Sequence, residues 1–410
     1  MQLHDAIGID PDSKGCVACL VKRLGGKAIT KTFPLTSRGR GALASFIGSV
    51  PGVLVGIEGR RGQSSPIEVF LEEQDIAYHT IPALNVSSYR SAMVSQQKSN
   101  REDAQAVAEF LLDIEAKDRL SEYARHDKPD AELRILARER LRIGQEMTVY
   151  ENRLWKLVKE SAHDLYLSLT GSGDEATAKT SMASRRLLRL FIAVPDITRW
   201  SSLSDDELLA CSGGKKANGW DNFVTTVRTP LARGVYVGRG AQVVMRNTAQ
   251  ILLQLLDQKA ELEAELESSV DERPVAKALR DHYAGIGSFT AALLVSEIIT
   301  IERFANDDRL ASYAGLTKRS YSTGTNLNQR RSSSCNKRLK TAFITFAKGY
   351  LRCNKDSHLG KYHQYLLKRG MSRMEALMRV ARGLARDLHR QLRALSAGAV
   401  DEEKKGKSVA

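Results

Sequence analysis

The chain has 410 residues, 42% of them hydrophobic and 27% charged, with a formal net charge of +14. That length accommodates two or three domains with sizeable cores, and no run of eighteen apolar residues exists that would cross a membrane. The opening Met1-Gln2-Leu3-His4-Asp5 has neither the basic nor the apolar region of a signal peptide, and five scattered cysteines fit a reducing compartment, so a cytoplasmic protein is expected.

Residues 6–10 read as a buried strand, with antiparallel neighbours at 17–22 and 28–33 and turns at 12–15 and 25–26. A helix is predicted over 37–47, a second apolar strand over 53–57, a helix over 66–73 and a strand over 76–81. The next helix covers 100–112, with Ser99 or Asn100 as its cap. Three meandering strands followed by strand–helix alternation is the order of a ribonuclease-H-like α/β layer. Residues 130–170 are helical, 171–179 form a Gly/Ser/Asp-rich break, and 183–240 show no clear period, with a loop expected at 211–216. Residues 241–268 carry leucines near heptad spacing, which fits either half of a coiled coil or a core helix of a bundle. A glycine turn at 285–287 opens a helix over 288–298. The last strong helix covers 374–395, and the charged tail 401–410 is expected to be disordered.

Three segments place acidic groups at strand ends or in a first helical turn: Gly8-Ile9-Asp10, Ile57-Glu58-Gly59 and Asn100-Arg101-Glu102-Asp103. Asp10-Pro11-Asp12 also favours a turn, but Glu58 follows an apolar run, where a lone carboxylate needs a partner. Converging carboxylates repel one another unless a cation lies between them, and oxygen ligands of this kind suit Mg²⁺ or Mn²⁺. Residues 314–390 hold eighteen Lys plus Arg against three Asp plus Glu, a net of +15 against +14 for the whole chain, so this segment holds all of the basic excess. Charge this one-sided marks a phosphate-binding surface. Lys318, Arg319, Arg330, Arg331, Lys337 and Arg338 are its candidates, together with the backbone at Gly285 and Gly287. Tyr321-Ser322-Thr323-Gly324-Thr325 reads as a polar loop whose hydroxyls serve either as phosphate contacts or as a nucleophile. Cys16 and Cys19 stand three apart on a strand and so face opposite sides, which argues against a metal or redox pair. His358 and His363 lack neighbouring cysteines, so zinc is not expected there.

The set Gly-Ile-Asp, Ile-Glu-Gly, Lys98-Ser99-Asn100-Arg101-Glu102-Asp103-Ala104, Gly285-Ile286-Gly287 and Leu310-Ala311-Ser312-Tyr313-Ala314-Gly315-Leu316, leading to Ser322-Thr323-Gly324, resembles the DEDD-type insertion-sequence transposases, the insertion-sequence family one hundred and ten, and the related Piv-type DNA invertases. The resemblance covers roughly residues 5–115 and 275–392. It implies a RuvC-like α/β domain (1–125), a helical coiled-coil connector with an insertion (126–275) and a helical transposase domain (276–396) before a disordered tail (397–410). It also implies Mg²⁺- or Mn²⁺-dependent recombination through a serine nucleophile and a covalent DNA linkage, in the bacterial cytoplasm at the nucleoid. The implied partners are donor and target DNA, a structured bridge RNA as guide, and further copies of the chain in a dimer or tetramer. Matched motif to motif, Asp10, Glu58 and Asp103 take the first, second and fourth carboxylate positions. Asn100 stands where the family has its third, with Glu102 as a substitute. Strict register assigns the nucleophile to Thr323 and family chemistry assigns it to Ser322. A Piv-like invertase, a Holliday-junction nuclease and a catalytically inactive DNA/RNA-binding relative remain as alternatives.

Overall fold

The structure, a computed structural model, describes residues 4–59, 65–92, 99–123, 128–171, 181–216, 218–231, 236–323, 326–331 and 335–407. Strand β1 (Ala6–Pro11) is buried along its whole length and forms the centre of a five-stranded mixed sheet. β2 (Gly15–Val21) lies antiparallel beside it, and β3 (Ile29–Pro34) lies antiparallel to β2. After helix α1 (Ser37–Gly48), β4 (Leu54–Gly59) pairs parallel with β1 on its other edge. Helix α2 (Ser65–Glu73) then leads to β5 (His79–Pro82), parallel to β4. The order across the sheet is β3-β2-β1-β4-β5. The fifth strand starts later than the expected 76–81, because the chain leaves α2 through Asp75 at positive φ and pairs with β4 only from His79.

Alternation along the strands assigns each face. Ile7, Ile9, Val55 and Ile57 pack with Leu43, Phe46 and Ile47 of α1 and with Ile67, Phe70 and Leu71 of α2. The opposite face, with Ala6, Gly8 and Gly56, meets α4 (Asn100–Ala116), which follows α3 (Ala83–Ala92). Gly8 and Gly56 pair across β1 and β4. A Cβ on Gly8 would stand 2.1 Å from the Ala104 carbonyl oxygen and 2.5 Å from the Ala108 nitrogen, and one on Gly56 would stand 2.5 Å from Leu111 Cδ1. The helix thus lies directly on the strand backbone. Ser99 is its cap, accepting from the Glu102 N–H at 3.3 Å. At the far end, buried Glu115 accepts from Arg23 at 2.9 Å and also pairs with His4, tying α4 to the strand edge.

The chain divides into two compact units, Met1–Ala131 with Val295–Ala410 and Glu132–Leu294. In the second, α5 (Lys128–Ser161) and α10 (Arg239–Asp271) are long helices, joined by the Arg140–Glu263 ion pair at 2.5 Å. Between them come α6 (His163–Thr170), α7 (Arg185–Ala193), α8 (Asp205–Ser212) and α9 (Trp220–Val227). Within 183–240, where the sequence shows no clear period, the described residues thus include the helices α7, α8 and α9, and the expected loop at 211–216 begins only after Ser212. Short helices explain why periodicity missed this stretch. Its Leu187, Leu188, Phe191 and Trp200 share one core with Leu154, Val158, Leu252 and Leu255, so α10 is a bundle core helix rather than half of an isolated pair. The Trp200 indole N–H donates to the Val194 carbonyl at 2.8 Å. Helices α11 (Pro274–His282) and α12 (Ser288–Ile298) flank the glycine turn, where Gly285 has φ +92.

The first unit resumes at Val295, near the end of α12, and continues through α13 (Asp307–Tyr313) to an antiparallel hairpin of β6 (Lys318–Thr323) and β7 (Asn326–Arg331). The C-terminal region is thus not wholly helical. Helices α14 (Lys337–Cys353), α15 (His358–Lys368) and α16 (Arg373–Lys407) follow, with α14 and α15 both packed on α16. The last helix runs into the tail expected to be disordered. The sequence there places Asp401 four residues before Lys405 and Glu403 four before Lys407, a spacing that supports helix.

Two outcomes follow from the sheet. Gly8→Ala should lower the unfolding free energy by about 3 kcal/mol, the upper end for overpacking, because the atoms it meets are backbone. A loss under about 1 kcal/mol in denaturant titration would mean that α4 does not lie on β1. Cys16 and Cys19 are buried in clusters on opposite faces of β2. Burial, and then the Asp10 carboxylate, pushes the Cys16 thiol up from 9.0 to about 12. Because the folded value lies above the unfolded one, this group's contribution to stability is complete below pH 9.0 and is lost as pH climbs towards about 12. At pH near 8 iodoacetamide should modify exposed Cys353 and leave Cys16 intact until the protein unfolds, as peptide mass mapping would report.

Candidate functional site

The alternation that sends Ile9 and Ile57 to one face sends the next residues, Asp10 and Glu58, to the face covered by α4. Ile9 and Ile57 are register partners, so the two carboxylates leave neighbouring strands at the same level. Helix α4 begins there, and its first turn supplies Asp103. The three residues are 0%, 5% and 3% exposed. One ligand oxygen from each lies within 4.8 Å of the others. At that spacing each pair of charges repels by about 3–4 kcal/mol for an effective dielectric near 20. A helix N-terminus offsets part of this at Asp103, and so does Arg90 from the end of α3, whose guanidinium is ion-paired with Asp103 Oδ1. The donor set is all oxygen and all carboxylate. Oxygens on opposite sides of a Mg²⁺ ion stand about 4 Å apart, so these residues fit a hard divalent cation with small side-chain adjustments.

Asn100 is not part of this group. It is exposed at the outer side of the first turn, and its amide reaches Asp12 at 3.5 Å, the outer limit of a hydrogen bond. Glu102 exchanges hydrogen bonds with the Ser99 cap, the Ser99 hydroxyl donating to its carboxylate at 3.3 Å. Of the acidic positions weighed in the sequence, the structure brings together Asp10, Glu58 and Asp103.

Ser322 and Thr323 stand on paired strand rather than in a polar loop. Ser322 is the register partner of Leu327 and Thr323 that of Asn326. Successive positions of a strand belong to opposite faces, so the two are not interchangeable by a small slide. Lys98, Gly324, Thr325 and residues 332–334 lie outside the described residues, as do the side chains at 318–331. Lys337 is exposed and Arg338 half-buried at the start of α14. That start is fixed by Asn336, whose Oδ1 accepts from Arg338 N at 3.1 Å and Leu339 N at 3.0 Å. Its Nδ2 donates to buried Glu297 at 2.8 Å. Gly285 and Gly287 belong to the other unit, in the turn between α11 and α12.

Two sets of residues were missed as individuals. Arg90 lies thirteen residues from Asp103 on a helix the sequence did not announce, and nothing in local spacing links them. Arg379, Arg382 and Arg386 entered only as part of the net charge. Their spacing of three and four puts them on one face of α16, beside a cavity of about 600 Å³ whose wall includes Leu316, Thr317 and Met378. Arg382 pairs with Asp308 at 2.7 Å and Arg386 with Asp307 at 3.1 Å. Exposed pairs of this kind contribute little to stability, which leaves the guanidinium groups open to exchange partners with a phosphate.

Comparison with known proteins bears on this arrangement. Residues 7–162, which carry the carboxylate centre, match the DEDD transposase family of IS110 type, described as Transposase. Residues 279–364, which carry the hairpin, match the Transposase IS116/IS110/IS902 family. The chain is also 29% identical over 141 residues to an uncharacterized 43.6 kDa protein of insertion element IS110 from Streptomyces coelicolor. That match covers 34% of this chain and 34% of the relative, so the chain spans about a third of the length of the curated protein it matches. With the buried carboxylates in the first matched segment and the hairpin in the second, the chain belongs to the IS110 family of DEDD transposases.

Proposed function

We propose that this protein is the DNA transposase of a mobile element, breaking and rejoining strands by phosphoryl transfer at a Mg²⁺ or Mn²⁺ centre. The observation that carries this reading is the convergence of Asp10, Glu58 and Asp103 at buried positions, with ligand oxygens within 4.8 Å. A divalent ion bound there would supply Lewis-acid stabilisation to the phosphate oxygens. The strand order β3-β2-β1-β4-β5, antiparallel then parallel, supports a ribonuclease-H-like, RuvC-type layer in residues 1–125. In the same reading 126–275 is a connector and 276–396 a transposase domain, with donor and target DNA and a structured guide RNA as partners of a dimer or tetramer.

The chain's own residues divide the work. Asp10, Glu58 and Asp103 hold the cation, and the N-terminus of α4 and the sheet fix their positions. A hydroxyl of Ser322 or Thr323 attacks phosphorus. The O–P bond to the protein forms as the bond to the leaving strand oxygen breaks, and the proton lost by the hydroxyl is matched by the one the leaving oxygen takes up. Conserving the phosphodiester energy in that linkage allows a second strand to take the phosphorus in turn. Basic groups of 314–390 neutralise the phosphates that must approach. The strand hydroxyls and the carboxylate centre must meet for this, within one chain or between protomers.

Asp10→Ala and Glu58→Ala should each reduce strand transfer by at least about a thousandfold, because charge stabilisation is a large part of such catalysis. Both should bind nucleic acid as tightly as wild type. Wild-type transfer in either variant would remove the carboxylates from the mechanism.

The nucleophile is tested by trapping. Either Ser322→Ala or Thr323→Ala should abolish the protein–DNA adduct seen as a protease-sensitive shift on a denaturing gel, and the other should be mild, since the two occupy opposite faces of β6. The binding-only alternative, favoured by the exposed Asn100 in the third carboxylate position, requires that wild type form no adduct and no product.

A further inference from the structure

We infer that Arg90 is a resident counter-cation of the carboxylate centre, and that a divalent ion binds by displacing its guanidinium from Asp103. The inference rests on the reading of Asp10, Glu58 and Asp103 as cation ligands. Its own evidence is the ion pair between Arg90 Nη1 and Asp103 Oδ1, made by side chains only 17% and 4% exposed. Arg90 comes from the last turn of α3, which packs on α4, so the guanidinium arrives from an element that contributes no carboxylate to the centre.

Three buried acidic groups within 4.8 Å of one another form a concentrated negative charge. Such a centre needs positive charge in the folded protein whether or not a metal is present. The guanidinium provides it as a delocalised cation with directed N–H donors. A Mg²⁺ ion coordinated to Asp103 sits about 2 Å from its oxygen. The guanidinium hydrogen-bonded to the same carboxylate would then lie roughly 5 Å or less from the ion, where like charges in a poorly solvated site repel strongly. The two cations therefore compete. A long, jointed side chain at the end of a helix can swing away without moving the sheet, whereas the carboxylates are fixed by β1, β4 and α4. Displacement falls on Arg90, and the freed guanidinium remains beside the centre, where a nucleic-acid phosphate is its natural acceptor.

The opposing possibility is that Arg90 only orients Asp103 through Oδ1 while the metal takes the other oxygen. The two differ in sign. Mn²⁺ affinity of the full chain, without nucleic acid, is measured by calorimetry or by the loss of the free-ion electron-spin signal. Displacement requires Arg90→Gln to bind Mn²⁺ roughly tenfold more tightly than wild type, to melt at a lower temperature without metal, and to gain more from added Mn²⁺. Arg90→Lys, which keeps the charge, should bind close to wild type. Equal or weaker affinity in Arg90→Gln overturns the inference and leaves Arg90 as an orienting residue. A wild-type measurement covers the case in which the variant does not fold. The nitrogen-15 signal of the Arg90 side chain, assigned by its absence in Arg90→Lys, should show restricted rotation in the metal-free protein and free rotation at saturating Mg²⁺. Retained restriction overturns displacement. If Glu58→Gln binds Mn²⁺ as wild type does, or if no variant binds it, the carboxylates are not the cation site, and that failure is separate from the Arg90 result.

Discussion

Everything at the carboxylate centre depends on how closely one helix approaches two strand backbones. Gly8 and Gly56 are register partners, and a side chain on either would collide with α4. With glycine at both places the helix lies in the groove between β1 and β4. Its first turn then reaches the level where Asp10 and Glu58 leave the strands. Larger residues there would lift α4 by more than a methyl radius and carry Asp103 away from its partners. The alanines at 104 and 108 complete the fit from the helix side. Packing density, rather than any direct bond among the acids, sets their spacing.

The parts of this arrangement that were legible in the sequence share one property: their signal is local. Apolar runs ending in Asp10 and Glu58 marked β1 and β4, and the Ser99 cap followed by an acidic turn marked α4. Long-range features left no such trace. Arg90 meets Asp103 only because α3 packs on α4. The hairpin of β6 and β7 is built from Lys, Arg, Ser, Asn and Gln with little apolar alternation, so composition pointed to a loop where backbone pairing forms a ladder. The helices between 185 and 227 are eight or nine residues long, too short for periodicity to stand out. Their burial against α10 became visible only once Leu187, Phe191 and Trp200 were seen in one core.

Charge is distributed so that attraction and repulsion are separated in the chain. The acidic centre is buried on the sheet, while the basic excess lies in 314–390, exposed on α14, α15 and α16 over much of its length. Both belong to the unit made by Met1–Ala131 and Val295–Ala410. A polyanion approaching that unit is drawn by the arginines and lysines and repelled by the carboxylates until positive charge screens them. Arg90 stands at that boundary, ion-paired to Asp103 of the triad.

That unit is also discontinuous, and this has a consequence for how it is made. All three carboxylates lie within the first 103 residues, yet the segment that completes the unit starts at Val295, after the whole of Glu132–Leu294. At the usual pace of synthesis, about 5–20 residues per second, roughly ten to thirty seconds separate the two parts as they leave the ribosome. For that interval the sheet and α4 stand without the segment Val295–Ala410, and the carboxylates are in place before the basic helices exist. The ribosome thus delivers the acidic centre of this unit before its basic surface.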